Sequence, residues 1–231
     1  QTSNMPYKRR GKRSRGSYRR RRRRIRKTRV ARGIRSLIPR KQVVNLPYHT
    51  VIVLNASSGA TAGDGHAFRC NSIYDPDYTT AGTTGKPLGY AQMLALYKNY
   101  KVLGSKMVAT FHPKGDFPSA QIIVKATDTT IEGKSRDEVM EQPNCFYKTT
   151  NSHDGGSNKV VLWSKFSAKR DFGPDDDSSA AMTADPAHTM YYHIFSRALA
   201  LGDDPSDVVV DVRINYITQF YNSKFLDDDH D

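Results

Sequence analysis

Apolar and polar residues alternate with a period of two along much of the chain. Near the C-terminus Val208, Val210, Val212, Ile214, Tyr216 and Phe220 fall on one side, and Asp211, Arg213, Asn215 and Gln219 on the other. That is the pattern of a long strand with one buried face. Val44, Leu46, Tyr48, Ile52 and Leu54 repeat it, and Pro47 places this strand at a sheet edge or at a bulge. Further strands are predicted over His66 to Tyr74, Tyr100 to His112, Ala120 to Asp128, Asn144 to Thr149, Lys159 to Ala168 and Thr189 to Ala200, which makes eight. Connections such as "NASSGATAGDG", "NSHDGGSN" and "DFGPDDDSSAAMTADP" are loop-like in composition. Short helices are predicted around Gln92 to Leu96 and after Ser135, which precedes Glu138 in capping-box spacing. With no alternation of strands and helices, the pattern predicts an all-β, eight-stranded antiparallel sandwich.

Charge divides the chain in two. Residues 1–41 hold 19 of the 36 Lys and Arg and no Asp or Glu, whereas 42–231 hold the other 17 and all 23 carboxylates, for +19 against −6. Six arginines run consecutively in "SYRRRRRRIRKTR". So dense a run of one sign repels itself and has few apolar residues to order it, so it requires a polyanion. The candidate nucleic-acid-binding residues are Lys8, Arg9, Arg10, Lys12, Arg13, Arg15, Arg19, Arg20, Arg21, Arg22, Arg23, Arg24, Arg26, Lys27, Arg29, Arg32, Arg35, Arg40 and Lys41. Counterion release makes binding by such an arm tight at low salt, steeply salt-dependent and indifferent to sequence. Val30, Ile34, Leu37 and Ile38 have helical spacing, closed by Pro39; a short basic helix and an extended arm with apolar anchors both fit. The predicted domains are therefore a basic arm over 1–41 and a mildly acidic, folded body over 42–231.

Enzymatic chemistry finds no foothold. "TAGTTGKP" and "DTTIEGKS" resemble phosphate loops, but Thr80 and Asp128 stand where the first glycine belongs. The seven histidines form no ligand cluster, and Cys70 and Cys145 are too few for a disulfide framework and too far apart for a zinc knuckle; they read as reduced, buried thiols. The expectation is no enzyme, no cofactor and no metal; Asp175 to Asp177 and Asp227 to Asp229 read as a solvated loop and tail in preference to calcium ligands. No run of apolar residues is long enough to span a membrane, so no membrane insertion is expected. Among the aromatics, most of Tyr97, Tyr100, Tyr191, Tyr192, Tyr216 and Tyr221 are expected in the core or between subunits. A minority, with Lys98, Lys101 and Lys106, are candidates to stack unpaired bases.

"MPYKRRGKRSRGSYRRRRRR", "FRCNSIYDP", "GYAQMLALYKNY" and "YKVLGSKMVATFHP" together resemble segments of the capsid proteins of circovirus-like, circular single-stranded DNA viruses. The resemblance implies a jelly roll of two four-stranded sheets and a sixty-subunit T=1 icosahedral shell around a circular single-stranded DNA genome. It also implies an arm that doubles as a nuclear localisation signal, with import receptors and a host-cell receptor as partners, and residence in the virion and the host nucleus. The aspartate-rich loop and the terminal "FLDDDHD" depart from that pattern. Sixty arms bring ~1,100 positive charges, matched to a genome on the order of one to two thousand nucleotides. The alternatives are the capsid protein of a small single-stranded RNA virus, which has the same arm logic, and a cellular basic nucleic-acid-binding protein, against which the acidic body argues.

Overall fold

The computed structural model describes residues 38–55, 65–80, 82, 85–114, 118–150, 159–175, 177–199 and 207–224. The chain divides into two units, Gln1–Leu37 and Ile38–Asp231, and every described residue lies in the second.

In chain order the strands are β1 (Lys41–Asn55), β2 (Gly65–Arg69), β3 (Tyr97–Pro113), β4 (Ser119–Ala126), β5 (Cys145–Thr149), β6 (Val160–Ser167), β7 (Ala180–Ala181), β8 (Tyr191–Ala198) and β9 (Asp207–Ser223). One sheet has the order β1-β9-β3-β6, with the two-residue β7 pairing at the start of β3; the other has the order β2-β8-β4-β5. Every pairing is antiparallel, and the main pairs nest: β1 with β9, β2 with β8, β3 with β6, β4 with β5. A chain folded back on itself and then rolled into two sheets is a jelly roll. All eight predicted strands are present; β7 is the addition.

The long alternating strands behave as read. Val208, Val210, Val212, Ile214, Tyr216 and Phe220 are fully buried between the sheets, with Leu46, Tyr48 and Leu54 of β1 beside them. Pro47 sits in β1 at the sheet edge, in an unbroken register opposite Asn215. In β3 the register slips between Val102 and Gly104. This bulge switches the inward residues from Tyr100 and Val102 to Ser105, Met107, Ala109 and Phe111. Gly104 follows the bulge because a Cβ there would stand 3.0 Å from the Phe166 carbonyl oxygen.

The middle strands of the second sheet, β4 and β8, are covered on both faces. The sheet's inner face sends Phe68, Ile123, Tyr192 and Ile194 into the main core. Ala120, Ile122, Val124 and Phe195 form a second core with Ile131 and Val139, which belong to a 3₁₀ turn (Thr130–Gly133) and to α2 (Arg136–Met140), respectively. A strand buried on both faces reads as an unbroken apolar run, which is why "SAQIIVKA" shows no alternation. The preceding helix, α1 (Tyr90–Leu96), matches the predicted segment. In α2 the capping box is formed: Ser135 Oγ accepts from the Glu138 amide, and Glu138 Oε2 accepts from the Ser135 amide at 2.8 Å. Ser135→Ala is expected to cost about 1 kcal/mol, read as a small drop in the thermal midpoint.

Two elements differ from expectation. The strand predicted over His66 to Tyr74 ends at Arg69, because the chain turns back on itself: the Arg69 amide donates to Pro76 O at 2.8 Å, and its guanidinium pairs with Asp75 at 3.0 Å. Tyr216 OH, from β9, donates to Arg69 O at 2.8 Å, and Ser105 Oγ to Cys70 O at 2.6 Å, so this turn is clamped from the first sheet. The end of the strand predicted over Lys159 to Ala168 is instead one turn of helix, α3 (Ala168–Asp171).

Candidate nucleic-acid interface

Because the inner positions of the β1-β9-β3-β6 sheet are apolar, the period of two sends its polar residues to the opposite face. The cross-strand register sets them in rows. One row runs Pro47, Asn215, Lys106, Lys165; the next runs His49, Arg213, Val108, Trp163. Lys41 and Lys101 lie on the same face toward one end, and Asp207 and Asp211 toward the other. No acidic residue occurs in β1, β3 or β6. Asp211 lies 3.2 Å from His112 Nε2 and 3.6 Å from His49 Nε2 at that end of the sheet. Lys106 and Lys165 stand directly opposite one another across β3 and β6. Like charges at such a cross-strand position are destabilising, and among the described residues neither has an acidic partner. The face is mixed: these cations stand among exposed apolar side chains, Val43, Val51, Val53, Trp163 and Ile217.

Of the predicted binding residues, Lys8 to Arg35 lie outside the described residues. Arg40 and Lys41 are exposed where the chain enters the fold; Lys41 opens β1 opposite Tyr221. Tyr97 OH fixes this entry by donating to Pro39 O at 2.9 Å and to Gln42 Oε1 at 3.2 Å. Tyr97, Tyr100, Tyr192 and Tyr216 are fully buried and offer no face to a base, as expected for most of the set. Tyr191 and Tyr221 are half-buried, and Lys106 is exposed on this sheet face. Sequence reasoning passed over Lys165 and Trp163, although alternation in "VVLWSKFS" separates them from inward Leu162, Ser164 and Phe166.

One described residue of each phosphate-loop lookalike is engaged within the fold. Lys86 Nζ donates to Tyr74 O at 2.8 Å and lies 3.7 Å from the centre of the Tyr74 ring, while Ser135 of the second is the α2 cap. Asp175 and Asp177 are exposed; Asp227 to Asp229 lie outside the described residues. Among the described residues no group of three His, Cys, Asp or Glu is placed to hold a metal, and no helix is long and apolar enough to cross a membrane. Both cysteines are free thiols; Cys70 is buried as expected, whereas Cys145, on the edge strand β5, is only half-buried. Burial pushes Cys145 up to about 11 and Cys70 well above its ordinary value. Since the thiolate is the nucleophile, both are expected to resist iodoacetamide at neutral pH in the folded protein and to react fully in denaturant, as counted by mass spectrometry.

No family model and no curated protein sequence matches the chain. Among solved structures it is similar to the decameric BFDV capsid protein, with 9% identity, a TM-score of 0.44 and coverage of 79% of this chain and 100% of that one. It is similar to Mud crab tombus-like virus, with 13% identity, a TM-score of 0.45 and coverage of 82% and 94%. A third is the T=1 subviral particle of a Penaeus vannamei nodavirus capsid protein deletion mutant, with 11% identity, a TM-score of 0.45 and coverage of 79% and 98%.

Proposed function

We propose that the chain is a viral capsid protein that self-assembles into a sixty-subunit T=1 icosahedral shell and packages a circular single-stranded DNA genome through its arginine-rich arm. The observation that carries this reading is the partition of charge: +19 over residues 1–41 against −6 over the rest, joined to a jelly roll, an architecture used for shells. The arm neutralises phosphates without reading sequence, and arginine suits flexible strands because its planar fork both bridges phosphates and stacks on bases. The cations of the sheet face add a second, shallower set of phosphate contacts. Arms repel one another until nucleic acid cancels their charge, so packaging and assembly are coupled. The same arm serves as the nuclear localisation signal, which makes import receptors partners and the host nucleus the site of assembly.

The test is to express the full chain in cells, purify sedimenting particles and digest their extracted nucleic acid with DNase and with RNase. Single-stranded DNA protected inside uniform particles is the expected result. Particles that protect RNA even when viral single-stranded DNA is supplied would move the chain to an RNA virus, and absence of particles would remove the capsid reading.

A further inference from the structure

β5 and β6 are the outermost strands of their two sheets, and they lie against each other at one side of the sandwich. There Phe146 of β5 stacks on Trp163 of β6, with ring centres 6.2 Å apart and planes 23° from parallel. This pair is not core: Trp163 is 50% and Phe146 49% exposed. A cavity of about 280 Å³ opens beside them, lined by Asn144, Phe146, Trp163, Ser164, Lys165 and Arg170. A second, of about 360 Å³, shares the two aromatic rings and continues past Tyr147 and Lys148. Two ammonium groups sit near the indole, Lys165 Nζ at 5.2 Å and Lys106 Nζ at 5.6 Å from its ring centre.

Charge decides what fits. Among the described residues no carboxylate lines either cavity, and Asp171, beside Arg170, is paired with Lys125 Nζ at 2.7 Å and with Arg170 Nε at 2.9 Å. β5 and β6 themselves contain no acid. Interfaces between proteins deplete lysine from their centres, whereas single-strand binders combine exposed aromatic rings with a positively charged groove. We propose that Trp163, backed by Phe146, is a stacking site for an unpaired base of a single-stranded nucleic acid, with flanking phosphates held by Lys106 and Lys165. This rests on the reading above that the chain encloses such a strand, and it adds a contact made by the body in place of the arm. The site is indifferent to base identity, since every base has a π-face.

Trp163 is the single tryptophan of the chain, so its emission reports this groove alone. The experiment titrates the full chain, freed of nucleic acid, with oligothymidylate and separately with inorganic polyphosphate of equal charge. Both engage the cationic arm, but only the first carries bases. Oligothymidylate is expected to quench Trp163 while polyphosphate leaves it unchanged. Trp163→Leu is expected to weaken oligothymidylate binding about 10-fold, Trp163→Phe to restore most of it, and both to leave polyphosphate binding unaltered. Tight oligothymidylate binding with no quenching and no loss in Trp163→Leu would overturn the stacking site while leaving the arm intact. Equal quenching by both polyanions would overturn it too. An emission change that follows protein concentration without any polyanion would make the groove a contact between copies. Failure of the full chain to bind either polyanion would overturn the packaging reading and this site together.

Discussion

A chain lacking residues 1–37 is expected to lose nearly all affinity for single-stranded DNA while keeping its thermal midpoint. The deletion removes 17 of 36 Lys and Arg and no carboxylate, taking the formal charge from +13 to −4. If every removed cation contacts a phosphate, the arm contributes about −12 to the slope of the full chain's log K against log salt, from about 0.7 per contact on single strands. The truncated chain keeps only the cations of its sheet face and is expected to show a slope of about −2. The midpoint is expected to hold because the truncated chain keeps the whole unit that begins at Ile38, including the hydrogen bonds of Tyr97 to Pro39 and Gln42. Fluorescence anisotropy at four salt concentrations reads the slope, and a calorimetric scan reads the midpoint. Equal slopes in the two chains would show that the body, not the arm, carries the binding.

The second large effect concerns the joint between the sheets. Lys125 of β4 is 4% exposed at its side chain and is held by Asp171 Oδ2 at 2.7 Å and by the Lys165 carbonyl at 3.1 Å, so a strand of one sheet is fastened to the end of a strand of the other. Asp171→Ala leaves an ammonium buried without its counter-charge, at a cost of about 3–5 kcal/mol. Against a total of about 5–15 kcal/mol that is a large share, and it lowers the midpoint by roughly 6–20 °C for a fold of this size. The double change Lys125→Met with Asp171→Leu is expected to recover most of the loss, because well-packed apolar groups replace a buried pair at little cost. A double variant as unstable as Asp171→Ala would show that the loss lies in packing around α3 and not in a stranded charge.

The same carboxyl gives the fold an acid limit. Burial raises the Asp171 pKa, but hydrogen bonds from Arg170, Lys125 and the Ser167 amide outweigh it and hold the group below its ordinary value. Asp77 is similar: burial raises it, and His66, at 2.8 Å, with the Thr80 amide brings it down. A group whose folded pKa is depressed stabilises fully above its unfolded value and loses that contribution as pH falls through the folded one. The midpoint is therefore expected to hold from neutral pH down to about 4 and to drop below it, with a shallower acid limb in Asp171→Ala.

Alternation made β1 and β9 legible, because each has one face in the core and one outside it. The same rule weakens in β4 and β8, where the covering of both faces by the main and second cores erases the period; only the length of the apolar runs marked them as strands. The end of β2 depends on Tyr216 and the turn of α3 on Lys125, both far along the chain, and no local pattern announces them. β7, two residues long, is too short to carry a period. The arm was visible as charge alone. Trp163 and Lys165 lay on the outward phase of β6, but Phe146 and Lys106 come to them from β5 and β3, and that meeting depends on sheet order and register that periodicity does not encode.

Electron microscopy of the purified full chain mixed with circular single-stranded DNA tests the account most directly. Closed particles of one diameter that shield the DNA from nuclease are the predicted outcome. A chain that coats the DNA along its length, or stays monomeric beside it, would contradict the idea that the jelly roll builds a container around what the arm holds.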